Sequence, residues 1–318
     1  MYRRSLLAMA SAAALAPGAR AAGRDTDTVR LTWGFGGLPL IAKERGEFAK
    51  TLAKDNINVE WIGPFPNHAP TIQAVVGGSA DFSFGGSTTP ALAAIVAGSP
   101  LVFTLFSVVE PRTTAIIVKD SSGINSVMDL VGKSVAVNRS GVAEFLLVAA
   151  LEKYHVDRIK VRVVYLNPPE AAPAFGSGQV DAWAMWSPGV DIARSQYQGH
   201  DIFVEGRDLD YQIDFGSWLV RTEFAERNRD LVTAVNAAFT AEAEWTSTHT
   251  VEAETIAQAQ GHYNDQIRDA FIAQKHQYHI RRADDQAFLA ELQHAADWLS
   301  ARKVLPDRVH VADHLALV

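Results

Sequence analysis

The sequence predicts an α/β protein made of two blocks of alternating strands and helices, followed by a mostly helical C-terminal segment. Short runs rich in β-branched and aromatic residues alternate with amphipathic runs, and glycine or proline stands at the joints. The alternation pauses in an extended stretch at 109–114 and then begins again, and from Thr222 onward apolar residues recur at helical spacing. Such alternation favours mostly parallel sheets that helices cover on both faces.

The individual elements follow from local patterns. Between Val142 and Ala150, for example, apolar residues recur three or four positions apart, which places them on one face of a helix. The stretch 211–220 reads as a strand-like crossing back to the first block. The predicted strands are 29–35, 57–63, 80–86, 100–109, 114–120, 134–139, 161–166, 180–186 and 201–206, and the predicted helices are 38–53, 69–78, 89–98, 124–132, 141–154, 168–178 and 188–197.

The first 21 residues have the three-part order of a secretory signal peptide. Arg3 and Arg4 form a positive start, 5–18 is apolar, and Ala19–Ala21 ends in the small-residue pattern of a cleavage site. The arginine pair also fits a twin-arginine export signal. The whole chain has a formal net charge of −7, and cleavage would remove three arginines and no acid. Binding to nucleic acid or to anionic lipid through net charge is therefore not expected.

The chain contains no cysteine, which excludes disulfides, thiolate catalysis, cysteine zinc sites and a lipidated cysteine anchor. No apolar run after the predicted signal approaches the length of a membrane span. The histidine pairs in 310–314 and 276–279 lack a clear third ligand, and no nucleophile motif is present. We therefore predict an exported, unanchored periplasmic protein without catalytic residues, metal or cofactor.

Three turns that combine glycine with small or polar residues lie where a predicted strand ends and a helix begins. They are WGFGGLP (33–39), FGGSTTP (84–90) and NRSGVAEF (138–145). The first lacks the third glycine of a dinucleotide fingerprint, and the second lacks the lysine of a nucleotide phosphate loop. Serine and threonine at such positions can simply cap a helix. The free N–H groups and the helix dipole can instead attract an anion, so two blocks with such turns suggest one ligand bound between them.

The order of several longer stretches resembles a known family. LPLIAKERGEF (38–48), QAVVGGSADFSFGGSTTPALAAIVAGSPLVF (73–103), LNPPEAAPAFGSGQVDAWAMWSP (166–188) and the C-terminal run from Tyr278 to His314 are similar to periplasmic solute-binding proteins of ABC importers, in the aliphatic sulfonate, taurine and nitrate group. The resemblance implies a two-lobed, type II-like fold with two hinge crossovers and a cleft that closes on its ligand. It implies that 22–111 and 217–318 together form one lobe and that 112–216 forms the other. It also implies a permease as partner and a monomeric protein.

The chain departs from the family pattern at positions expected to contact a ligand. Ser87 and Ser187 stand where the family usually has acids, Gly141 and Val142 replace two serines, and Glu144 replaces a histidine. The family pattern therefore predicts the fold and an anion-binding site, but the hydrogen-bonding side chains expected at that site differ. A close-fitting site discriminates strongly against unpaired polar groups, so the ligand can differ as well.

The expected site combines an anion position with an apolar wall. A sulfonate headgroup would lie on N–H groups near Thr88 and Gly141–Val142, and Trp186, at the end of its strand, is expected to face the cleft while Trp183 belongs to the core. An amine on the ligand would pair with Glu110, Glu144 or Asp214. The predicted ligand-binding residues are Phe35, Gly37, Leu38, Asn67, Ser87, Thr88, Glu110, Ser140, Gly141, Val142, Glu144, Trp186, Asp214 and Trp218.

Several alternatives remain open at this point. The same fold could bind taurine, nitrate, a thiamine-precursor pyrimidine or an aromatic carboxylate instead of a simple aliphatic sulfonate. The tryptophans disfavour a bare ion such as nitrate, which needs no apolar packing. An enzyme on this fold is a further alternative, but the thiamine-pyrimidine synthases that resemble it carry a cysteine-rich site, and this chain has no cysteine.

Overall fold

The computed structural model describes residues 24–318. The predicted signal peptide, 1–21, lies outside the described residues. The strands are β1 (Thr28–Gly34), β2 (Asn58–Phe65), β3 (Gly86–Ser87), β4 (Leu101–Glu110), β5 (Ala115–Lys119), β6 (Ser134–Val137), β7 (Arg162–Tyr165), β8 (Ala182–Met185), β9 (Gly199–Val204), β10 (Gly216–Arg221) and β11 (Gln277–Arg282). The helices are α1 (Gly37–Arg45), α2 (Glu47–Ala53), α3 (His68–Val76), α4 (Thr88–Val96), α5 (Val142–Lys153), α6 (Pro168–Gly176), α7 (Gly189–Gln196), α8 (Glu205–Asp208), α9 (Thr222–Arg227), α10 (Arg229–Thr248), α11 (Thr250–Gly261), α12 (Asp265–Gln274) and α13 (Gln286–Ala301).

The strands form two groups, which we call lobe 1 (β1–β4, β10 and β11) and lobe 2 (β5–β9). Lobe 2 contains one five-stranded sheet in the order β7-β6-β8-β5-β9. Lobe 1 contains the parallel pair β1-β2 and a four-stranded sheet in the order β11-β4-β10-β3. The segment around Phe82 joins these two sheets, because Thr32 N–H donates to Phe82 O (3.1 Å) and Ser83 N–H donates to Leu219 O (2.9 Å). The predicted α/β architecture is therefore confirmed.

The expectation of mostly parallel pairing is wrong for the four-stranded sheet, where every pair is antiparallel. In lobe 2, β6 pairs in parallel with β7 and β8, but β5 is antiparallel to β8 and β9. For the pairs that involve β5 and β10, the cause is the path of the chain. β5 and β10 are the strands that enter a lobe directly from the other lobe, so each starts at the shared boundary. Each therefore runs away from that boundary, opposite to its neighbours.

Several element boundaries also differ from the predicted ones. The predicted helix 38–53 is divided into α1 and α2 at Gly46, whose φ of 73° lies in the left-handed region and ends α1. The predicted helix 124–132 is only a short 3₁₀ turn at Val127–Leu130. The predicted strand 80–86 is reduced to one bridge at Phe82 and the two residues of β3, because a tight turn from Phe84 O to Gly86 N–H interrupts it.

The C-terminal segment contributes more than helices. β11 adds an antiparallel edge strand beside β4, which the helical prediction for this region did not include. α13 packs against both lobes: Phe288 lies 5.0 Å from the rings of Phe106 and Phe215, and Trp298 lies 5.5 Å from the ring of Phe145 on α5. These aromatic contacts join buried residues of the two lobes into one hydrophobic cluster. Within 24–318, no helix is both long and apolar enough to span a bilayer.

Candidate ligand-binding cleft

A cavity of about 740 Å³ lies between the two lobes. Its volume is in the range of cavities that hold drug-sized ligands, and its wall is mainly apolar. Residues at the carboxyl ends of strands in both lobes line it, including Ser107 of β4 and Met185 of β8. Open α/β sheets bind ligands at this end of their strands. The cavity is therefore the candidate binding site.

Among the described helices, seven begin at the cavity wall: α1, α3, α4, α5, α6, α7 and the short α8, whose first residue is Glu205. Each has its first turn, or the residue that precedes it, in the lining. The arrangement follows from the topology, because most strands run toward the cleft and a helix follows each of them. A helix N-terminus carries unsatisfied N–H groups and a partial positive charge. The cleft therefore has several potential positions for an anion.

Three of these N-termini are already capped by side chains of the protein. Asn67 caps α3 by accepting a hydrogen bond from Ala69 N–H (3.2 Å). Asn167 and Glu170 form a capping box at the start of α6. At α4 the cap comes from far along the chain, because Asp214 Oδ1 accepts from Thr89 N–H at 3.1 Å. These three helix ends have less capacity left for a ligand.

The α4 turn does not agree with the predicted headgroup position. Thr88 is fully buried and does not line the cavity, and its N–H donates to Phe215 O at 2.8 Å. Asp214 occupies the place that an anion would take, and also accepts from the Ser87 hydroxyl (2.5 Å) and the Thr89 hydroxyl (2.9 Å). Ser87 itself lines the cavity, but its hydroxyl already donates a hydrogen bond to the Asp214 carboxylate.

No side chain among the described residues caps α1, α5 or α7. α7 carries the buried carboxylate of Asp191 in its first turn, whereas the N-cap residues of α1 and α5 are the glycines Gly36 and Gly141. Gly36, Gly37 and Leu38 line the cavity at α1, and Val142 lines it at α5. The α1 and α5 ends belong to different lobes and line the same cavity.

Arg139 is a cleft residue that the sequence analysis missed. It lines the cavity in the turn before α5, and its guanidinium lies 3.7 Å from the centre of the Tyr165 ring. It forms no salt bridge with any residue in 24–318, so its charge is available. The available signal was its position inside NRSG, directly after a predicted strand. Its place next to the N-terminus of α5 puts a positive charge beside that helix end.

Ser140, Gly141 and Glu144 lie behind this turn and do not line the cavity. Glu144 is buried on α5 and its two oxygens are occupied by Arg158 (2.7 Å), Tyr165 (2.7 Å) and the N–H of Ser140 (2.7 Å). Gly141 leaves room for the amide of Asn138, which a Cβ would approach to 1.7 Å. These residues shape the turn. The predicted pairing of Glu144 with a ligand amine does not fit this environment.

Of the three acids proposed for an amine, Asp214 alone lines the cavity. Glu110 is exposed at the end of β4, where it pairs in register with Gln277, and its side chain does not reach the cleft. Burial raises the pKa of Asp214, and the hydrogen bonds from Ser87 and Thr89 act against that rise. Its Oδ1 takes all four hydrogen bonds that the carboxylate accepts from described residues.

Aromatic side chains form much of the apolar wall. Trp186, Trp183 and Trp218 all line the cavity, and so does Phe35, which is 52% exposed. Trp183 is also buried against Phe175, at 6.1 Å between ring centres, so it belongs to both the core and the wall. Trp218 is 1% exposed and its Nε1 has no hydrogen-bond partner among the described residues. An orphaned indole N–H in a cavity wall is a donor for a ligand acceptor.

Direct contacts join the lobes across the cleft. Asn67 Nδ2 of lobe 1 donates to Asn167 Oδ1 of lobe 2 at 3.0 Å. Beside it in lobe 1, His68 is buried, with Nδ1 at 2.8 Å from Ser87 O and Nε2 at 3.0 Å from Ser83 Oγ. Burial lowers the pKa of His68 to about 4, so its ring is neutral at pH 7. Of these hydrogen bonds, the one between Asn67 and Asn167 joins the two lobes.

Within residues 24–318, no group of three or more His, Cys, Asp or Glu side chains is placed to hold a metal ion. The polar groups at the cavity wall include donors at helix ends, the Arg139 guanidinium and the Trp218 indole N–H, which together fit an anion with an apolar body. The same wall also contains three carboxylates, those of Glu205, Asp214 and Glu254.

Comparison with known proteins gives consistent results. Residues 39–253 match the family model described as NMT1/THI5 like. A protein of Bacillus subtilis (strain 168), named as an aliphatic sulfonates-binding protein, is 31% identical over 68% of this chain and 64% of its own length. A protein of the same name from Escherichia coli (strain K12) is 30% identical over 73% of this chain and 71% of its own. The chain thus spans just under two thirds of the first of these relatives.

The crystal structure of the periplasmic aliphatic sulphonate binding protein from Escherichia coli is similar in fold. It superposes with a TM-score of 0.77 over 91% of this chain and 92% of that one, at 23% sequence identity. At this level of identity the superposition supports the two-lobed fold. These relatives are named as binding proteins.

Proposed function

The chain belongs to the NMT1/THI5-like family, and from that premise we propose that it is a periplasmic binding protein that captures an aliphatic sulfonate for an ABC importer. Relatives with 30–31% identity are named as aliphatic sulfonates-binding proteins. The observation that carries the proposal is the pair of uncapped helix N-termini, α1 and α5, which face one cavity from opposite lobes. They supply donors for an anionic headgroup, and no side chain in the described part of the protein caps either helix.

The headgroup would lie nearer to α5 than to α4. Arg139 adds a full positive charge beside the α5 end, whereas Asp214 places a carboxylate at the α4 end. The Trp218 indole N–H is a further donor, and Gly37, Leu38 and Asn67 complete the lobe 1 side of the wall. Trp186 and Phe35 would pack against the carbon chain of the ligand. A bare ion such as nitrate would leave these aromatic surfaces without a contact.

The remaining features follow from the same premise. We propose that 112–216 moves as one unit relative to 22–111 and 217–318, and that closure on the ligand presents the surface that a permease recognises. Export would use the predicted signal at 1–21, by the general or the twin-arginine route. The protein would act as a monomer, because each of its two lobes supplies one side of the site.

A ligand panel tests the proposal. The mature chain would be titrated by calorimetry with ethanesulfonate, butanesulfonate, octanesulfonate, taurine, nitrate, sulfate and phthalate. We expect binding of alkanesulfonates with affinity that rises with chain length, because each buried methylene contributes about 0.8 kcal/mol. Binding of nitrate or phthalate with no binding of any sulfonate would overturn the sulfonate assignment while leaving the binding-protein fold intact.

A charge variant sharpens this test. Arg139→Ala should weaken sulfonate binding by about 10- to 100-fold, because a hydrogen bond to a charged group is worth about 1.5–3 kcal/mol. Arg162→Ala is the matched control, because Arg162 is exposed on β7 and does not line the cavity. Equal losses in both variants would show that only long-range charge matters, and would contradict the proposed headgroup position.

A further inference from the structure

One part of the cleft is lined by residues that the proposed sulfonate site does not use. We call it the distal chamber and define it by its lining residues Ile192, Glu254, Ala257, Tyr263, Phe271, His276 and Tyr278. All except Ile192 come from the C-terminal segment, from α11 to β11. Ile192 of α7 packs on the cluster of Tyr263, Ile267 and Phe271, so this chamber also lies between the lobes. The headgroup turns come from other elements.

A carboxylate without a cationic partner lines this chamber. Glu254 forms no salt bridge within residues 24–318, and the charge that acts on it most strongly is another carboxylate, that of Asp191. Asp191 is buried on α7, and Arg194 binds its Oδ1 at 2.6 Å while its Oδ2 has no partner. Burial and the charge of Asp191 raise the pKa of Glu254 to about 7. The chamber therefore has excess negative potential whenever Glu254 is ionised.

An orphaned hydroxyl lies beside the carboxylate. Tyr263 is 6% exposed, and its hydroxyl has no hydrogen-bond partner within bonding geometry, although it lies near Glu254. A buried polar group of this kind is uncommon in a folded protein, because leaving it unpaired costs about 1–3 kcal/mol. An ammonium group can donate to the hydroxyl oxygen and leave the O–H free to donate to Glu254, which would remove that cost. The hydroxyl is the second sign that the chamber receives a polar group.

The other groups that face Glu254 do not neutralise it. His276 precedes β11, and burial lowers its pKa, so its ring is uncharged at pH 7. Arg268 of α12 is engaged with Asp265 and Asp269, and Arg194 of α7 is engaged with Asp191 and Asp201. Tyr278 of β11 is a neutral aromatic wall, because burial raises the pKa of its hydroxyl.

We propose that the distal chamber is a subsite for a cationic amine, so that the ligand is a sulfonate whose far end carries an ammonium group. The carboxylate supplies the counter-charge, the Tyr263 hydroxyl oxygen accepts a hydrogen bond from the ammonium, and the rings of Tyr263, Phe271 and Tyr278 supply faces that attract a cation. The inference rests on the proposed function, because it assumes a sulfonate at α5. It moves the amine partner from the residues that the sequence suggested, Glu110, Glu144 and Asp214, to Glu254.

Matched pairs of ligands test the subsite. Unbranched sulfonates of two to eight carbons would be titrated as the methyl-terminated, the ω-hydroxy and the ω-amino forms. At one chain length, we expect the amino form to bind at least about tenfold more tightly than the methyl form. Glu254→Gln should cancel that difference and leave the methyl form unchanged. Glu252→Gln, an exposed acid on the same helix, is the control and should change neither.

Proton release on ligand binding distinguishes a direct contact between Glu254 and the ligand from a purely structural role of Glu254. An ammonium beside Glu254 favours its ionised form, so binding of the amino sulfonate near pH 7 should release about half a proton, because its pKa in the free protein is about 7. Calorimetry in two buffers of different ionisation enthalpy measures this release. Methyl-terminated sulfonates should release none, and Glu254→Gln should abolish the release. Tyr263→Phe, which removes only the hydroxyl, provides a second variant if Glu254→Gln does not fold.

The outcomes separate the two proposals. The amine subsite is overturned, and the sulfonate function stands, if alkanesulfonates bind but no amino form binds more tightly than its methyl or hydroxy partner. The same conclusion follows if Glu254→Gln leaves the tighter binding of the amino form unchanged. If no sulfonate binds at any length, the proposed function falls, and the subsite as defined here falls with it. Both proposals are supported if, at one carbon-chain length, the amino form binds more tightly than the methyl form, and this difference disappears in Glu254→Gln but persists in Glu252→Gln.

Discussion

Two turns of similar sequence, one in each lobe, differ in what they leave for a ligand. The turn before α4 (Gly85–Thr88) and the turn before α5 (Asn138–Gly141) both follow the end of a strand region and both begin a helix at the cleft. At α4, Asp214 caps the helix. At α5 no side chain does so, and Arg139 lies beside the open end. Similar local sequence therefore yields one closed and one open anion position.

The difference depends on a residue far from both turns. Asp214 is more than a hundred residues from Thr89 in the sequence and reaches it on the second crossing between the lobes. A carboxylate at a helix N-terminus gains from the same dipole that would attract a ligand anion. The protein thus uses the positive end of α4 for stability, and the positive end of α5 remains available for binding. The predictions below would break or sharpen this contrast.

The largest expected effect comes from removing the α4 cap. Asp214→Ala should lower the free energy of unfolding by about 3 kcal/mol, because it leaves the Thr89 N–H and the hydroxyls of Ser87 and Thr89 without their acceptor. Chemical denaturation at pH 7 measures the change. Asp210→Ala, on an exposed residue of the same crossing, should change stability by less than about 0.5 kcal/mol. Equal effects in the two variants would refute the capping role.

The α4 side should also be sensitive to acid through His68. Its pKa in the folded protein is about 4, below the ordinary value of 6.5, so the unfolded chain binds the proton more readily. Stability contributed by the neutral ring is present above pH 6.5 and is lost as the pH falls toward 4, by about 3 kcal/mol. Unfolding curves between pH 4 and 7 for the wild type and His68→Gln measure it. The variant should show a flatter dependence, and an unchanged slope would contradict this account.

The two glycines offer a direct comparison of the turns. A Cβ on Gly85 would approach the Trp218 ring to 2.2 Å, and a Cβ on Gly141 would approach the Asn138 amide to 1.7 Å. The buried indole cannot move away easily, whereas the amide is the end of a shorter, partly exposed side chain. Gly85→Ala should therefore cost about 2–3 kcal/mol of stability and Gly141→Ala about 1 kcal/mol. Thermal denaturation ranks them, and the reverse order would show that the α5 turn is the more rigid one.

The smallest effect concerns closure. Asn67→Asp keeps an oxygen that caps α3 but replaces the Nδ2 donor to Asn167 with an acceptor. The lobes should open more often, and ligand affinity should fall about two- to fivefold, which corresponds to about 0.5–1 kcal/mol for one lost hydrogen bond. Small-angle scattering without ligand measures the opening, and calorimetry measures the affinity. An unchanged radius of gyration together with unchanged affinity would show that this hydrogen bond does not contribute to closure.

The sequence by itself determined the repeating pattern of elements and their meeting point. The apolar spacing in 141–154 predicted α5 to within one residue at each end, and the alternation predicted two α/β units whose strand ends share a cleft. Such features are local, because apolar periodicity records which face of a helix or strand is buried. The same locality explains why the turns before α4 and α5 looked equivalent.

Tertiary structure decided which groups these elements leave free. It brought Asp214 to α4, enclosed Glu144 between Arg158 and Tyr165, reversed β5 and β10, and placed Glu254 of the C-terminal segment at the wall of the cleft. Each outcome depends on where the chain crosses between lobes, and no short window of sequence contains that information. A hydrogen bond or ion pair between distant residues forms only after the core has fixed their positions. The binding chemistry of this protein is therefore a property of its folded arrangement more than of its turn motifs.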